Sequence, residues 1–272
     1  MKPAASVPVL MYHHVSPAVG SITTSPENFA SQLRWLRRAG YRTLNADGLA
    51  RFLAGEAVPH KSVVLTFDDG YLDNWVHAHP LLAQYGMTAL MFVVSSWLQD
   101  GPVRACAGAG RIPATPDHAE CKRRIAQGDT DSVIIRWSEA EAMQRAGTFE
   151  FHSHTHTHTR WDQQHADAAA KRSALAADLA LARSTLVQRL GGVSAHLCWP
   201  QGYFDDDYQQ VAGAAGFRYF YTTDARGLNL PHGNARHIHR VAVKNRGGLM
   251  FGQRVWLARD TRIGPLYNRW KR

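Results

Sequence analysis

At 272 residues the chain exceeds the usual domain of about 100 to 200, but α/β barrels routinely reach about 250 as one unit, so a single domain spanning 1–272 is expected. With 45% hydrophobic and 19% charged residues, wholesale disorder and collagen-like repeats are excluded, and the apolar mass suffices for a core without staples. Lys and Arg number 31 against 22 Asp and Glu, and the net charge of +9 favours acidic partners: phosphorylated sugars, nucleic acid or an anionic membrane surface.

Apolar runs alternate with amphipathic stretches, the pattern of βα units around a parallel sheet. Residues 7–12 read as a first buried strand. Ser25-Pro26-Glu27 supplies an N-cap, a proline at N1 and an acid in the first turn, and Phe29, Leu33 and Leu36 recur at helical spacing until Gly40. Residues 41–44 read as a short strand and 47–54 as a helix. Residues 62–67 (SVVLTF) read as a strand buried on both faces, ending on Asp68, Asp69 and Gly70. A carboxylate pair at a strand's C-terminal end is where α/β folds place chemistry.

The stretch 71–85 contains His79-Pro80, which predicts a broken helix leading into a strand at 88–94. Over 99–131 the periodicity is lost, and a loop or lid of that length is usually functional or disordered. Ser138, with Glu141, is the expected cap of a helix over 139–146. A strand at 149–151, a histidine string and a long helix over 164–190 follow. Further strands are expected at 196–199, 217–222 and 236–243, with a helix at 206–215. Residues 250–272 read as a basic extension.

Basic residues cluster at Arg34, Arg37 and Arg38, at Lys122, Arg123 and Arg124, and at Arg269, Lys271 and Arg272. No aromatic RNA-binding string or zinc-finger spacing accompanies them, so nucleic acid is not an expected partner. Cys106, Cys121 and Cys198 are too few and scattered for a disulfide framework and point to a reducing compartment. MKPAASVPVLMYHHV lacks the apolar run of a signal peptide, so as written the chain is expected in the cytoplasm, or in the periplasm if a leader has been removed.

The strongest local feature is His152-Ser153-His154-Thr155-His156-Thr157-His158. In an extended strand, histidines four apart lie about 13 Å from each other, too far to share an ion held at about 2 Å. Either neighbours two apart bind it, or the chain turns after His154 and brings His158 back. Two histidines underfill a metal site, and the Asp68-Asp69 pair offers a carboxylate, leaving the other acid to reach water. Such a set suits zinc, cobalt, nickel or ferrous iron.

The strings TFDDG (66–70) and EFHSHTHTH (150–158) resemble the polysaccharide deacetylases of the NodB-homology family, carbohydrate esterase family 4. VLMYHHV (9–15), GFRYFYTTD (216–224) and HRVAV (239–243) are similar to its branch that de-N-acetylates poly-N-acetylglucosamine. The likeness covers most of 7–243 outside 99–131. It implies a distorted α/β barrel and a divalent metal, most simply zinc, on Asp69, His154 and His158, with Asp68 as base. His152 and His156 would stand behind the ligands or at the surface.

By the same resemblance, Tyr71, Trp199, Pro200 and Tyr203 would line the sugar site. The family's third-motif arginine is missing at Cys198-Trp199-Pro200, and Arg240 is the candidate to replace it. No family motif for the general acid is found, leaving His13, His237 and His239; on a regular strand His237 and His239 share one face and Arg240 the other. The implied reaction is removal of an N-acetyl group from an N-acetylhexosamine in a bacterial glycan or lipid-linked saccharide. A basic protein suits a phosphate-bearing, membrane-held substrate and peripheral contact with anionic lipid. Two rivals are an amidohydrolase acting on a small non-sugar amide and a catalytically silent glycan-binding module.

Overall fold

A computed structural model describes residues 3–192 and 194–270; Lys271 and Arg272 of the basic tail lie outside them, as does the side chain of Arg269. The chain opens with β1 (Val9–Tyr12), β2 (His14–Val15), β3 (Thr23–Thr24), α1 (Pro26–Arg38), β4 (Arg42–Thr43) and α2 (Ala46–Leu53). β5 (Ser62–Asp69) leads through a π-helical turn at Asn74–Ala78 into α3 (His79–Tyr85) and β6 (Ala89–Val93). α4 (His118–Ala126) and α5 (Trp137–Arg145) precede β7 (Phe149–Ser153), and α6 (Trp161–Gln164) and α7 (Ala168–Leu190) precede β8 (His196–Cys198). α8 (Asp206–Ala214), β9 (Tyr219–Tyr221), β10 (Val241–Ala242), α9 (Gly248–Arg259) and α10 (Ile263–Trp270) complete the order.

One parallel sheet runs β10-β1-β5-β6-β7-β8-β9, with β4 added alongside β5. It curls until Tyr221 of β9 meets Ile238 in an isolated parallel bridge, which links the two edges. The result is the distorted (β/α) barrel expected from the alternation of elements. Strand side chains alternate across the sheet. Val9, Val64, Leu90, Phe92, Cys198 and Tyr221 fill the interior, while Leu10, Val63, Leu65, Phe67 and Met91 pack outward under the helices. With both faces covered, β5 is buried at every position, which is why it reads as an unbroken apolar run.

Several expected boundaries move, each for a local reason. Residues 99–131 are not all loop: Asp117 accepts from the Glu120 N–H at 2.9 Å and opens α4. The segment before it is tied down by Arg104, whose guanidinium makes two 2.7 Å bonds to the buried Glu139 and also donates to the Asp131 and Ile134 carbonyls. Ser138 does not cap α5; its hydroxyl donates to the Gly101 carbonyl, and Glu139, not Glu141, accepts from the Arg136 N–H at 2.8 Å. The long helix starts at Ala168 rather than 164, capped by Asp167.

The expected strand at 236–243 shrinks to Val241–Ala242, because Asn229 takes up both backbone groups of His239. The described part of the basic extension is helical over α9 and α10. α9 buries Phe251 and Val255 against α1, and it lies so close that a Cβ on Gly252 would stand 2.2 Å from the Trp35 ring.

Candidate metal centre and its cavity

The C-terminal ends of β5, β6 and β7 open into a cavity of about 440 Å³ lined by His13, Asp68, Asp69, Tyr71, His154 and His158 among others. Asp68 continues the inward face of β5. Asp69 by strand alternation would face outward, but its left-handed backbone (φ 74°) and that of Gly70 (φ 79°) re-aim the carboxylate into the cavity. After Ser153 the chain leaves β7 in a turn with left-handed residues at Thr155 (φ 67°) and His158 (φ 61°), which brings the His154 and His158 rings to 4.9 Å. The turn after His154, one of the two arrangements open from the sequence, is the one found.

Asp178, buried on α7, holds this turn. It accepts from the His156 and Thr157 N–H groups at 3.0 and 3.1 Å and from the Thr157 hydroxyl at 2.7 Å. The Thr155 hydroxyl accepts from the His158 N–H at 3.1 Å. His154 Nδ1 lies 2.8 Å from the Cys198 carbonyl, a bond that requires the proton on Nδ1 and leaves the Nε2 lone pair free.

Three ligand atoms converge. His154 Nε2 and His158 Nε2 stand 3.4 and 3.6 Å from Asp69 Oδ1, a buried oxygen with no hydrogen-bond partner among the described residues. A tetrahedral ion at about 2.0 to 2.1 Å from each ligand holds them about 3.3 Å apart, close to the two edges at Asp69, so the donor set suits a divalent metal. The orphaned oxygen gives the fit its reason, since a buried unpaired carboxylate atom is costly unless something binds it.

Beside it, Arg240 is wholly buried and grips Asp68 with both arms, NH1 to Oδ1 at 2.7 Å and NH2 to Oδ2 at 2.8 Å. Its Nε donates to the Thr222 carbonyl at 2.8 Å. Burial pushes the Asp68 carboxyl up, but the Arg240 charge and its hydrogen bonds outweigh that and hold it below the usual carboxylate range. His13 Nε2 lies 3.9 Å from Asp68 Oδ2, and burial pulls this imidazole down despite the two nearby aspartates.

The other expected site residues fall differently. Tyr71 borders the cavity, its ring stacked on His14 at 3.8 Å. Trp199 borders it too but is buried, with its indole packed among Phe204, Tyr208 and Phe220. Pro200 and Tyr203 lie outside the lining, Tyr203 beneath the Arg160 guanidinium. His237 and His239 face Asp224, away from the cavity, and His239 therefore does not join Asp68. His152 is no surface residue: it sits inside the barrel against Phe92 and His196. His156 pairs with Ser95 at 2.8 Å.

Residues that sequence reasoning missed form the opposite wall. α4 contributes His118, Lys122, Ile125 and Ala126, spaced as one helix face, and Trp97 stands 5.3 Å from His158. The basic cluster is thereby split, because Arg123 and Arg124 turn back to Glu120 at 2.7 Å and Lys122 alone faces the cavity. His118 also contacts His14 Nε2 at 3.1 Å, and His14 is held by Asp73 at 2.6 Å.

Residues 55–220 match the polysaccharide deacetylase family. The chain belongs to that family. The Bacillus subtilis protein YxkH, assigned to the polysaccharide deacetylases, is 39% identical over 91 residues, a match spanning 33% of this chain and about a third (32%) of that protein's length. The poly-β-1,6-N-acetyl-D-glucosamine N-deacetylase of Staphylococcus aureus is 21% identical over 232 residues, 85% of this chain and 71% of its own. Among solved structures, IcaB from Ammonifex degensii superposes with a TM-score of 0.70 at 23% identity, covering 95% of this chain and 99% of its own. Streptococcus pyogenes deacetylase PplD gives 0.71 at 19%, covering 94% and 99%. These two share its fold. The family match stops short of Arg240 and begins after His13, so the grip on Asp68 is known from this chain's own geometry.

Proposed function

We propose that the protein is a metal-dependent hydrolase that removes the acetyl group from an N-acetylhexosamine of a glycan or lipid-linked saccharide. The observation that carries this reading is the unpartnered Asp69 oxygen 3.4 and 3.6 Å from two imidazole nitrogens, beside a second aspartate clamped by a buried arginine. The similarity to a poly-N-acetylglucosamine deacetylase over 85% of the chain supports the substrate class.

Asp69, His154 and His158 are the residues that hold the cation, most simply zinc. When bound there, it supplies Lewis-acid polarisation of the acetamido carbonyl and makes water a better nucleophile at neutral pH. Asp68, kept ionised and fixed in orientation by Arg240, takes the proton of the attacking water. The backbone N–H of Tyr71 takes no part in the two bonds that join this stretch to 133–135, and it is the donor assigned to the developing oxyanion. His13, on the cavity wall with its Nε2 3.9 Å from Asp68, relays the proton that Asp68 has taken from water to the leaving nitrogen as the C–N bond breaks, giving acetic acid and a free amine. Trp97, Ile22 and Ile125 provide apolar surface for a pyranose ring, and Lys122 is placed to meet a phosphate or other anionic group on the substrate.

The rival of a silent glycan-binding module rested on the missing third-motif arginine; Arg240 occupies that role from another part of the chain. The test is acetate release from N-acetylglucosamine oligomers by chelator-stripped protein reloaded with zinc, cobalt, nickel or ferrous iron. Release that requires the metal is expected. An Asp68→Asn protein that still binds metal and turns over at the original rate would sink the reading. Turnover of small amides but not oligomers would move it to the amidohydrolase rival.

A further inference from the structure

A second set with the same donors lies outside the catalytic cavity. Asp224 follows β9, and His237 and His239 precede β10. His237 Nε2 stands 3.2 Å from Asp224 Oδ2, and His239 Nδ1 stands 3.6 Å from the same oxygen. The two rings are 4.8 Å apart, and all three ligand atoms lie within 4.8 Å of one another. His239 Nδ1 is shielded from solvent and has no hydrogen-bond partner, the same kind of orphan that marks Asp69.

The surroundings are built rather than incidental. Asn229 fixes His239 through both backbone groups, its Oδ1 accepting at 3.0 Å and its Nδ2 donating at 2.9 Å. The Asp224 N–H donates to the Thr222 hydroxyl at 3.1 Å, and the Asp224 carbonyl accepts from the Arg240 N–H at 3.1 Å. Arg226 holds the Asp224 carboxylate with both arms, Nε donating to Oδ1 at 2.8 Å and NH2 to Oδ2 at 3.3 Å, so the oxygen that faces the histidines is shared with the guanidinium. A plain ion pair between Asp224 and two protonated histidines is the competing account. It fits poorly, because His239 Nδ1 stands 3.6 Å from Asp224 Oδ2, beyond hydrogen-bond reach, and finds no hydrogen-bond partner among the described residues.

We propose that Asp224, His237 and His239 form a second divalent-cation site, suited to a borderline ion such as zinc. The donor set of two imidazoles and one carboxylate matches that ion, and the 3.2 and 3.6 Å edges bracket the roughly 3.3 Å of a tetrahedral site. The groove holding Asp224 and His237 shares Gly202 and Thr223 with the catalytic cavity. A cation there ties the loop after β9 to the segment that carries Arg240, whose side chain and backbone both bond to residues 222 and 224. The site is therefore one of binding and positioning, and it stands independently of the deacetylase reading.

The experiment dialyses chelator-stripped protein against buffered micromolar zinc and counts the metal by elemental analysis. Wild-type protein is expected to hold two zinc ions per chain. Asp69→Ala/His154→Ala keeps one, His237→Gln keeps one, and the combined variant holds none. If His237→Gln fails to fold, Asp224→Asn and the visible spectrum of cobalt(II) added to Asp69→Ala/His154→Ala decide. Intense bands of a four- or five-coordinate ion support the site. A spectrum unchanged from the hydrated ion, or zinc taken up by that double variant only at millimolar concentration, overturns it. A failure of the catalytic centre instead appears as one zinc in the wild type that His237→Gln removes and Asp69→Ala/His154→Ala does not.

Discussion

Two clusters of one aspartate and two histidines sit on the same barrel, and their neighbours make them different objects. At Asp69, His154 and His158 the carboxylate comes from the end of a central strand, the backbone is held left-handed at Asp69 and His158, and a second carboxylate stands alongside. That second acid is locked by a fully buried guanidinium. At Asp224, His237 and His239 all three residues are half-buried on loops, and the arginine in reach, Arg226, binds the ligand carboxylate itself. Donor type alone therefore does not make a catalytic centre. What separates the two is a second aspartate, Asp68, fixed by Arg240 beside the first cluster, and the cavity of about 440 Å³ that opens onto it.

The sharpest way to break this comparison is to remove the base. Asp68→Asn is expected to lower kcat by about 10²- to 10⁴-fold while leaving zinc stoichiometry unchanged, as read by acetate release and elemental analysis on the same preparation. Next in size is the clamp. Arg240→Met strands a buried carboxylate, and the loss is expected at about 3 to 5 kcal/mol in urea unfolding, together with most of the activity. Adding Asp68→Asn to Arg240→Met should restore much of that stability, because the stranded charge is gone; simple additivity of the two changes would argue against the pairing.

The Asp-His-His cluster of the cavity was legible because its parts sit in short, dense strings. TFDDG ends the most buried strand, and the alternating histidines allow only a few registers once the reach of an ion is considered. Arg240 was named from the sequence only as the candidate to replace the family's third-motif arginine, and what brings it onto Asp68 is the curl of the sheet that carries Ile238 back to Tyr221. The α4 wall was hidden for a different reason. That helix buries only Cys121 among its residues, so it shows no apolar stripe, and the Asp117-x-x-Glu120 cap was the one signal that could have revealed it. Trp199 does border the cavity, but most of its apolar ring is consumed by the core, packed against Phe204 and Phe220. The second Asp-His-His set was visible as histidines two apart, but the partner aspartate lies 13 to 15 residues earlier and only the fold brings it in.

A smaller effect tests whether the first cluster owes its quality to the turn that follows β7. Asp178→Ala leaves the His156 and Thr157 N–H groups without their acceptor in a part-buried turn, at a cost of about 1 kcal/mol. His158 then loses its fixed approach to Asp69. Zinc affinity at the catalytic centre is expected to fall by about 10- to 100-fold, the usual range for groups that orient ligands, as measured by competition with a chromophoric chelator. Affinity at Asp224 should not change, since Asp178 touches nothing there.

The smallest effect sharpens the other side of the comparison. Arg226 holds both Asp224 oxygens and so competes with a cation for them, and removing the guanidinium makes the carboxylate a stronger ligand. Arg226→Gln is expected to tighten zinc at the second cluster by about two- to fivefold, because exposed ion pairs are worth little and their loss is soon offset by water. The measurement belongs in the Asp69→Ala/His154→Ala background, where the second site is observed alone, and at low ionic strength, where the competition is least screened. A weaker zinc site in that protein would mean that Arg226 positions Asp224 rather than competing for it, and the guanidinium would then play at the second cluster the part that Arg240 plays at the first.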